Sequence, residues 1–424
     1  MQRAHKTALD VNNVQSTYLA KACGTARFAY NWALAKWQAQ YQASVNDPKI
    51  LRPSQLALRR ELNAIKAEQF PWMLEVTKCA PQEAIIDLGK AFANFFAGRG
   101  RYPVFKRKGI DESFRLSPGN YQVSGDQIRL PHIGWVRMRE VLRWPDAKTQ
   151  SVTISRHRGH WMVSIACELP DEPPKAGLTG AVGIDVGTNQ YWTSDGESIQ
   201  VPKAYRNAQK RLRRAQQQLA RTKKGSKNRA KAKHRLARIH GRIADVRADW
   251  LHQTTTGIAG TYAVVGIEDL NVKGMTAKAK PIQDPARPGH YLPNRRKAQS
   301  GRAKSVLDAG FGEFRHQLGY KTQASGSILV VADRWFPSSR LCSTCGVKTK
   351  HLPLSVRGWT CQACGTWHHR DINAATNLRE YAVSSTVSAC GEFSPLSVGS
   401  IRLPTAKLLD ETGTELQMGM TLFE

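Results

Sequence analysis

The sequence has few acidic residues, few cysteines and no long hydrophobic run. Its 424 residues include 33 Asp and Glu against 63 Lys and Arg. No apolar stretch approaches the roughly 18–20 residues of a membrane-spanning helix. The basic N-terminus lacks the apolar segment of a signal peptide, so a cytoplasmic protein is expected. With 41% apolar residues, the chain can nevertheless build folded cores.

The shortage of acids leaves a formal net charge of +30. Such an excess repels itself in a free protein, so a large polyanion is the natural partner. Residues 206–242 hold fifteen Lys and Arg and no acid. A solvated charged helix face normally mixes both signs, so this segment favours a nucleic-acid partner. Composition alone also allows a ribosomal-type basic protein.

Eight cysteines are too few for a disulfide scaffold in a chain of this length. Four of them form two CxxC knuckles fifteen residues apart: Cys342, Cys345, Cys361 and Cys364. This spacing predicts a closed, structural Zn²⁺ site, whereas a redox pair would need a single CxxC. His368 and His369 are expected on the surface or against nucleic acid. The other four are predicted to be reduced thiols: Cys23, Cys79, Cys167 and Cys390.

Hydrophobic patterning divides the chain into two parts around a proline-rich segment at 170–177. Residues 17–98 show helical periodicity, and the alternation from about 100 to 170 predicts a small β-barrel or sandwich. The segment AHKTALDVN near the N-terminus supplies a further strand, which makes the helical block an insertion in a β domain.

Two apolar strands follow the proline-rich segment, and between them the basic residues 206–242 predict two helices broken at KKGSKN. Prolines, glycines and basic residues predict a mobile loop over 273–304, either a lid or a plain linker, before the helical segment KSVLDAGFGEFRHQL. No structure is predicted for the tail from residue 383.

Three separated carboxylates stand at the ends of predicted core elements. Asp185 lies in GIDVG, Glu268 in VVGIEDLNV and Asp371 in RDINAA. Taken one at a time, each has an ordinary structural interpretation: Asp185 as a turn former, Glu268 as a carboxylate at a strand end, and Asp371 as a helix N-cap. Together they would repel one another unless divalent cations lay between them. Two Mg²⁺ ions held by three acids suit phosphodiester hydrolysis, the chemistry of an RNase H-like nuclease.

The order of these motifs closely resembles the TnpB proteins of bacterial insertion sequences. GIDVG, a basic helical segment, GIEDLNVKGM, PSSRLCSTCG…CQACG and HHRDINAATNL follow one another as in that family. ARFAYNWAL and YPVFKRKG also look like its opening and middle regions. The likeness covers essentially the whole chain and extends to the compact type V CRISPR nucleases.

The resemblance implies an RNA-guided DNA endonuclease with a multidomain α+β fold. Its RNase H-like RuvC nuclease domain would carry an inserted zinc ribbon that binds the target nucleic acid. An N-terminal β-barrel wedge domain would carry a helical recognition insertion. The implied boundaries are 1–16 and 99–172 for the wedge, 17–98 for recognition, 177–340 and 366–382 for RuvC, 341–365 for the ribbon, and 383–424 for the tail.

By motif match, Asp185, Glu268 and Asp371 would be the catalytic triad with two Mg²⁺ ions. The expected partners are one guide RNA per monomer and double-stranded target DNA. Lys78 and Gln82, in TKCAPQEA, resemble the stretch that reads a short duplex motif beside the target, although Cys79 and Pro81 depart from it. Backbone contacts are expected from Lys106, Arg107, Lys108, Arg211, Arg214, Lys223, Lys224 and Arg235.

Four other functions compete with this interpretation. They are a guide-dependent DNA-binding repressor that does not cut, a compact type V CRISPR effector, a three-acid transposase that acts without RNA, and a non-enzymatic RNA-binding protein. The presence of all three acids favours a nuclease over the repressor. A zinc ribbon placed just before the third acid is not the usual arrangement of a transposase.

Overall fold

A computed structural model describes residues 2–170, 177–353 and 355–390. Its contacts divide the chain into two compact units, Met1–Asp171 and Glu172–Glu424. The division falls in the proline-rich segment, of which residues 171–176 lie outside the described part. Among the described residues, no helix is long and apolar enough to cross a membrane.

The first unit is built on a seven-stranded antiparallel sheet with the order β2-β6-β7-β1-β5-β4-β3. The first strand pairs with the seventh from Gln2 opposite Glu168 to Leu9 opposite Trp161, which confirms the predicted N-terminal strand. In the described ladder β2 and β3 are edge strands, so hydrogen bonds do not close the predicted barrel. The strands are β1 (Gln2–Asp10), β2 (Ser113–Leu116), β3 (Gln122–Ser124), β4 (Gln127–Leu130), β5 (Gly134–Met138), β6 (Lys148–His157) and β7 (His160–Glu168).

Three helices and a 3₁₀ turn lie between β1 and β2, as the predicted insertion requires. The first helix begins earlier than residue 17 because Asn12 and Gln15 form a capping box, in which each side chain accepts from the other's backbone N–H. The stacked rings of Trp37 and Phe92, with centroids 4.3 Å apart, join the first and third helices. The elements are α1 (Asn13–Asn46), α2 (Gln55–Gln69), the turn Pro71–Glu75 and α3 (Cys79–Phe96).

The second unit contains a five-stranded mixed sheet with the order β10-β9-β8-β11-β14. The strands β8, β11 and β14 are parallel, whereas β9 pairs antiparallel with both β8 and β10. The carboxyl ends of β8 and β11 therefore lie side by side. The strands are β8 (Ala181–Val186), β9 (Gln190–Thr193), β10 (Ser198–Gln200), β11 (Val264–Glu268) and β14 (Ile328–Ala332).

One face of this sheet is covered by the last described helix, α9 (Arg370–Cys390). Two strand glycines let the helix backbone approach closely. A Cβ on Gly183 would lie 1.9 Å from the carbonyl oxygen of Ala375, and one on Gly266 would lie 2.3 Å from that of Leu378. The helix continues past residue 383, where the sequence predicted no structure, and residues 391–424 lie outside the described part.

The basic segment forms two helices joined at residues 222–226, as predicted: α4 (Ala204–Arg221) and α5 (Lys227–Thr261). We call this pair the basic hairpin. Leu212 on α4 and Ile243 on α5 are buried in the seam between them. Arg229 closes the turn by donating to the carbonyl oxygens of Leu219 and Thr222, at 3.1 and 2.9 Å.

The predicted loop over 273–304 is more ordered than its prolines and glycines suggested. Its last part belongs to α7, whose Asp308 is buried and accepts from the backbone N–H groups of Tyr205 and Arg206. This contact supplies the cap that α4 lacks locally, and it could not be read from local composition. The elements here are α6 (Val272–Met275), β12 (Ile282–Gln283), β13 (Tyr291–Leu292), α7 (Arg296–Ala309) and α8 (Phe311–Ser325).

Candidate functional site

Three carboxylates from three elements meet at one edge of the second unit's sheet. Asp185 lies near the carboxyl end of β8, Glu268 ends the adjacent strand β11, and Asp371 lies in the first turn of α9. Glu268 and Asp371 both act electrostatically on Asp185. The structure thus brings together residues that stand 83 and 103 positions apart in the sequence.

The charges of these acids are costly to hold in the absence of cations. Burial, and then the negative charges of Glu268 and Asp371, raise the pKa of Asp185 well above its ordinary value, against the opposing effect of Arg370 and Arg357. Burial also raises the pKa of Glu268. The cluster is therefore short of positive charge, which a divalent cation would supply.

Two further side chains, both missed in the sequence, hold these carboxylates. The hydroxyl of Ser338 donates to Glu268. The guanidinium of Arg357 donates from one nitrogen to both oxygens of Asp371, at 2.9 and 3.1 Å. Ser338 belongs to the quoted PSSRLCSTCG motif, but nothing in the sequence indicated that Arg357, which lies between the two cysteine knuckles, reaches the third acid.

Asp269 is a fourth acid at this sheet edge, but arginines neutralise it. One carboxylate oxygen accepts from Arg315 on α8 at 2.5 Å, and the other accepts from Arg334, just beyond β14, at 2.7 Å. The residue therefore ties α8 and β14 to the end of β11 beside Glu268. Glu268 and Asp269 are neighbours in the sequence, and local sequence does not show that Asp269 is the one paired with arginines.

The four knuckle cysteines converge as predicted. The sulfur atoms of Cys342, Cys345, Cys361 and Cys364 all lie within 4.8 Å of one another. Among the described residues, no other group of three or more His, Cys, Asp or Glu side chains brings its ligand atoms so close, so the three carboxylates stand further apart. Four sulfurs at this range are the donor set of a structural Zn²⁺ site.

His368 lies inside the ribbon, not on its surface as the sequence suggested. Its side chain is buried, with Nε2 3.0 Å from the sulfur of Cys342 and its ring 4.9 Å from that of Trp359. The antiparallel strands β15 (Gly358–Thr360) and β16 (Trp367–His369) hold this pair opposite each other. His369 is half-buried against Trp192, with ring centroids 4.8 Å apart.

Two asparagines fix the ribbon to the helix that carries Asp371. Asn377 donates to the carbonyl oxygens of Ser338 and Leu341, both at 2.7 Å. Asn373 donates to the same two carbonyls and accepts from the backbone N–H of Ser343. The zinc ribbon and the third carboxylate are therefore held as one assembly, in which α9 also packs on the sheet.

The residues predicted to contact nucleic acid in the first unit differ in their exposure to solvent. Lys78 is exposed at the start of α3, and Gln82 is half-buried one turn later. Arg107 and Lys108 are exposed. Lys106 instead lies over the ring of Tyr30, 4.2 Å from its centroid, and burial lowers the pKa of its amine.

The basic hairpin presents its charges to solvent. Arg211, Arg214, Lys223, Lys224 and Arg235 are all exposed. In the part of the chain that the structure describes, no acid forms an ion pair with any of the fifteen basic residues between 206 and 242. Apart from Arg229, which is half-buried in the turn, these charges are exposed and accessible to a polyanion.

Comparison with known families assigns three parts of the chain. A model described as a probable transposase matches residues 164–279, and a Cas12f1-like TNB domain matches 311–378, which includes the zinc ribbon. A helix-turn-helix model matches residues 1–45, although this structure has a strand and a single long helix there.

Curated relatives cover almost the full chain. A putative RNA-guided DNA endonuclease of Streptomyces pristinaespiralis is 36% identical, covering 92% of both chains. The putative RNA-guided DNA endonuclease InsQ of Escherichia coli is 32% identical, covering 92% of this chain and 94% of its own. A solved Cas12f1–sgRNA–target DNA complex shares the fold, with a TM-score of 0.52 at 14% identity over 87% of this chain and 83% of that one. The chain therefore belongs to the TnpB family of transposon-associated RNA-guided DNA endonucleases.

Proposed function

We propose that this protein cuts DNA under RNA guidance at a single RuvC-like site formed by Asp185, Glu268 and Asp371. The convergence of these three carboxylates at one sheet edge carries the proposal. The mixed sheet, with three parallel strands flanked by two antiparallel ones and covered by α9, suits an RNase H-like domain. The match to a transposase model favours a transposon protein over a CRISPR effector.

The three acids would hold two Mg²⁺ ions, which when bound activate the attacking water and stabilise the leaving oxygen. Because burial and the charges of Glu268 and Asp371 raise the pKa of Asp185, this carboxyl would lose its proton more readily when a cation offsets those charges. Ser338 keeps the Glu268 carboxylate oriented toward the cluster. Asp371 becomes a ligand when its carboxylate is shared with, or released by, Arg357.

Guide and target would be held mainly through their phosphates. Base pairing supplies the sequence specificity of such a system, so the protein needs only a positive surface of suitable shape. The unpaired charges of the basic hairpin provide this surface next to β11 in the chain, with affinity that falls steeply with salt. The exposed Lys78 at the start of α3 supports its role, with Gln82, in reading a flanking duplex motif in the first unit, which would act as wedge and recognition domains.

A Zn²⁺ ion bound by the four cysteines would stabilise the ribbon without taking part in cleavage. Four protein ligands leave no open coordination position. The ribbon contributes indirectly, since Arg357 and the asparagine contacts of α9 connect it to Asp371. One monomer per guide RNA is the assembly we propose.

A guide-dependent protein that binds without cutting is the second candidate. The observation that favours it is the contact of Arg357 with Asp371, which occupies a carboxylate needed for metal. Both candidates predict a copurifying RNA and RNA-dependent DNA binding. They differ in whether DNA is cut.

Cleavage of a DNA target matched to the copurified RNA, with Mg²⁺ or with a chelator, tests the proposal. We expect cutting by the wild type in Mg²⁺ alone, and none by Asp185→Ala or Glu268→Ala with RNA binding retained. Asp249→Ala, which removes an exposed acid on α5 outside the cluster, is the matched control. RNA-dependent binding without any cutting would establish the second candidate, and cutting by both acid variants would refute the site.

A further inference from the structure

A long groove in the first unit follows α1 and is not part of the site described above. Its larger part, about 650 Å³, is lined by Arg27, Phe28, Asn31 and Trp72 among others. A second depression of about 390 Å³ extends toward the start of the helix, past Tyr18 to Asn13. Lys21 and Glu75 line both parts, so the two depressions are adjacent along α1. At 1.5 Å per residue, the helix runs beside the groove for about 27 Å.

Aromatic rings form one wall of the larger part. Phe28 meets Phe70 and Trp72 edge to face, with ring centroids 4.9 and 5.1 Å apart. Trp72 leaves 41% of its surface exposed, although its partners are largely covered. The exposed ring of this wall therefore comes from the turn Pro71–Glu75, and Phe28 of α1 lies half-buried beneath it. A partly exposed indole ring packed against other aromatic rings is suited to stacking on a flat ligand.

The charges in the groove are positive and incompletely paired. Arg27 is half-buried beside Gly24, and it forms no hydrogen bond or ion pair with another described residue. Lys21 pairs with Glu75 at 2.5 Å across the junction of the two parts, and both side chains are more than half exposed. An unpaired, partly desolvated guanidinium is costly unless an anion completes it.

We propose that this groove binds a few nucleotides of single-stranded nucleic acid. A base stacks on Trp72, a phosphate binds Arg27, and a second phosphate competes with Glu75 for Lys21. Alternating rings and cations along a narrow track are the features that bind single strands without sequence preference. The inference rests on the proposed function, because that function supplies RNA and unwound DNA as ligands. It adds to that function a specific binding site, along α1, for a strand that is not base-paired.

Affinity of the full-length protein for fluorescent single-stranded oligonucleotides, of RNA and of DNA separately, tests the groove. Trp72→Ala should lower the affinity roughly fivefold to tenfold, and Trp72→Phe should restore most of it, since loss of one stacked base has this size. Lys21→Ala should weaken binding, whereas Glu75→Gln should strengthen it about twofold to threefold by freeing Lys21.

The chain offers matched controls for each change. Tyr41 lies on α1 beyond the groove with 42% of its surface exposed, so Tyr41→Ala controls for loss of an exposed ring. Lys36 and Glu61 form a comparable exposed pair at 2.8 Å outside the lining, so Lys36→Ala and Glu61→Gln control for the charge changes. Equal melting temperatures of the variants show that folding is unaffected.

Photo-cross-linking with 4-thiouridine in RNA or 4-thiothymidine in DNA identifies the strand. We expect cross-linked peptides from residues 18–31 or 70–78, and the label that reacts names RNA or DNA as the ligand. Cross-links confined elsewhere, with Trp72→Ala binding as tightly as Tyr41→Ala, would overturn the inference. If the groove inference fails in this way but the wild-type protein still cuts its target, the proposed nuclease function remains supported without the groove. Cross-links in the groove without any cutting of DNA would support the groove as a binding site and refute the proposed nuclease activity.

Discussion

Replacement of Gly183 by alanine tests how the sheet and α9 assemble the three carboxylates. The added Cβ would lie 1.9 Å from the carbonyl oxygen of Ala375 and 2.4 Å from the backbone nitrogen of Arg379. Both neighbours are helix backbone, which cannot rotate away as a side chain could. The helix must therefore move off the strand, and with it Asp371 in its first turn.

The expected cost is at the upper end of that for overpacked cores, about 3 kcal/mol. For a unit of this size, each kcal/mol lowers the melting temperature by roughly 2–4 °C, so the shift should be about 6–12 °C. Gly319→Ala in α8 is the matched control, because nothing lies within 4 Å of its added Cβ. It should stabilise the protein by roughly 0.4–1 kcal/mol through reduced unfolded-state entropy.

The assay combines thermal melting with hydrogen exchange in the peptides of α9. We expect faster exchange across α9 in Gly183→Ala, and loss of the proposed cleavage with retained RNA binding. A Gly183→Ala protein that melts within 2 °C of the Gly319→Ala protein would refute the reasoning, since the helix would then not rest on the glycine. Gly266→Ala should act on the same helix, so the double variant should cost less than the sum.

Three further changes probe the acids, the zinc ligands and the ribbon contacts. Because its pKa is raised, Asp185 holds its proton more tightly in the folded protein, so stability is full below its ordinary pKa and falls as pH rises through the raised value. Asp185→Asn should therefore raise the melting temperature of metal-free protein at pH 7–8, with little effect near pH 4, and abolish cleavage. Cys361→Ser should reduce the bound zinc measured by elemental analysis and lower the melting temperature, since it removes one of four ligands. Asn377→Ala should cost about 0.5–1.5 kcal/mol and speed hydrogen exchange at 338–345, because the carbonyls of Ser338 and Leu341 each lose one donor and keep only Asn373.

Each of these changes has a control and a contrary result. Asp249→Asn alters an exposed acid and should leave the pH dependence unchanged. A similar rise in melting temperature in Asp185→Asn and Asp249→Asn would show that the change in net charge, rather than the burial of Asp185, explains the effect. Cys23→Ala removes a buried thiol outside the ribbon and should keep the zinc, so equal loss from both cysteine variants would contradict the assignment. Asn207→Ala removes an exposed contact with Pro202 and should cost less than Asn377→Ala.

Much of the local structure could be predicted because its signals are local. The break at KKGSKN was correctly predicted because glycine, serine and asparagine interrupt two strongly helical segments. The cysteine knuckles were recognised by spacing alone. The prediction of a loop over 273–304 is too long, because α7 begins at Arg296 and its Asp308 makes a contact with the start of α4 that local composition does not reveal. Similarly, packing on the sheet, rather than composition, carries α9 past residue 383.

The sequence by itself identified the family, and it pointed to the four converging cysteines and to the three acids proposed as the catalytic site, since motif order and spacing are written in the chain. The tertiary structure alone decided which groups surround those acids. Only folding brings Arg357 onto Asp371, Ser338 onto Glu268, and two arginines onto Asp269. It also decided that Tyr18 and Phe28 of α1 line a groove, because burial depends on what packs against a helix, and periodicity records only which residues share a face.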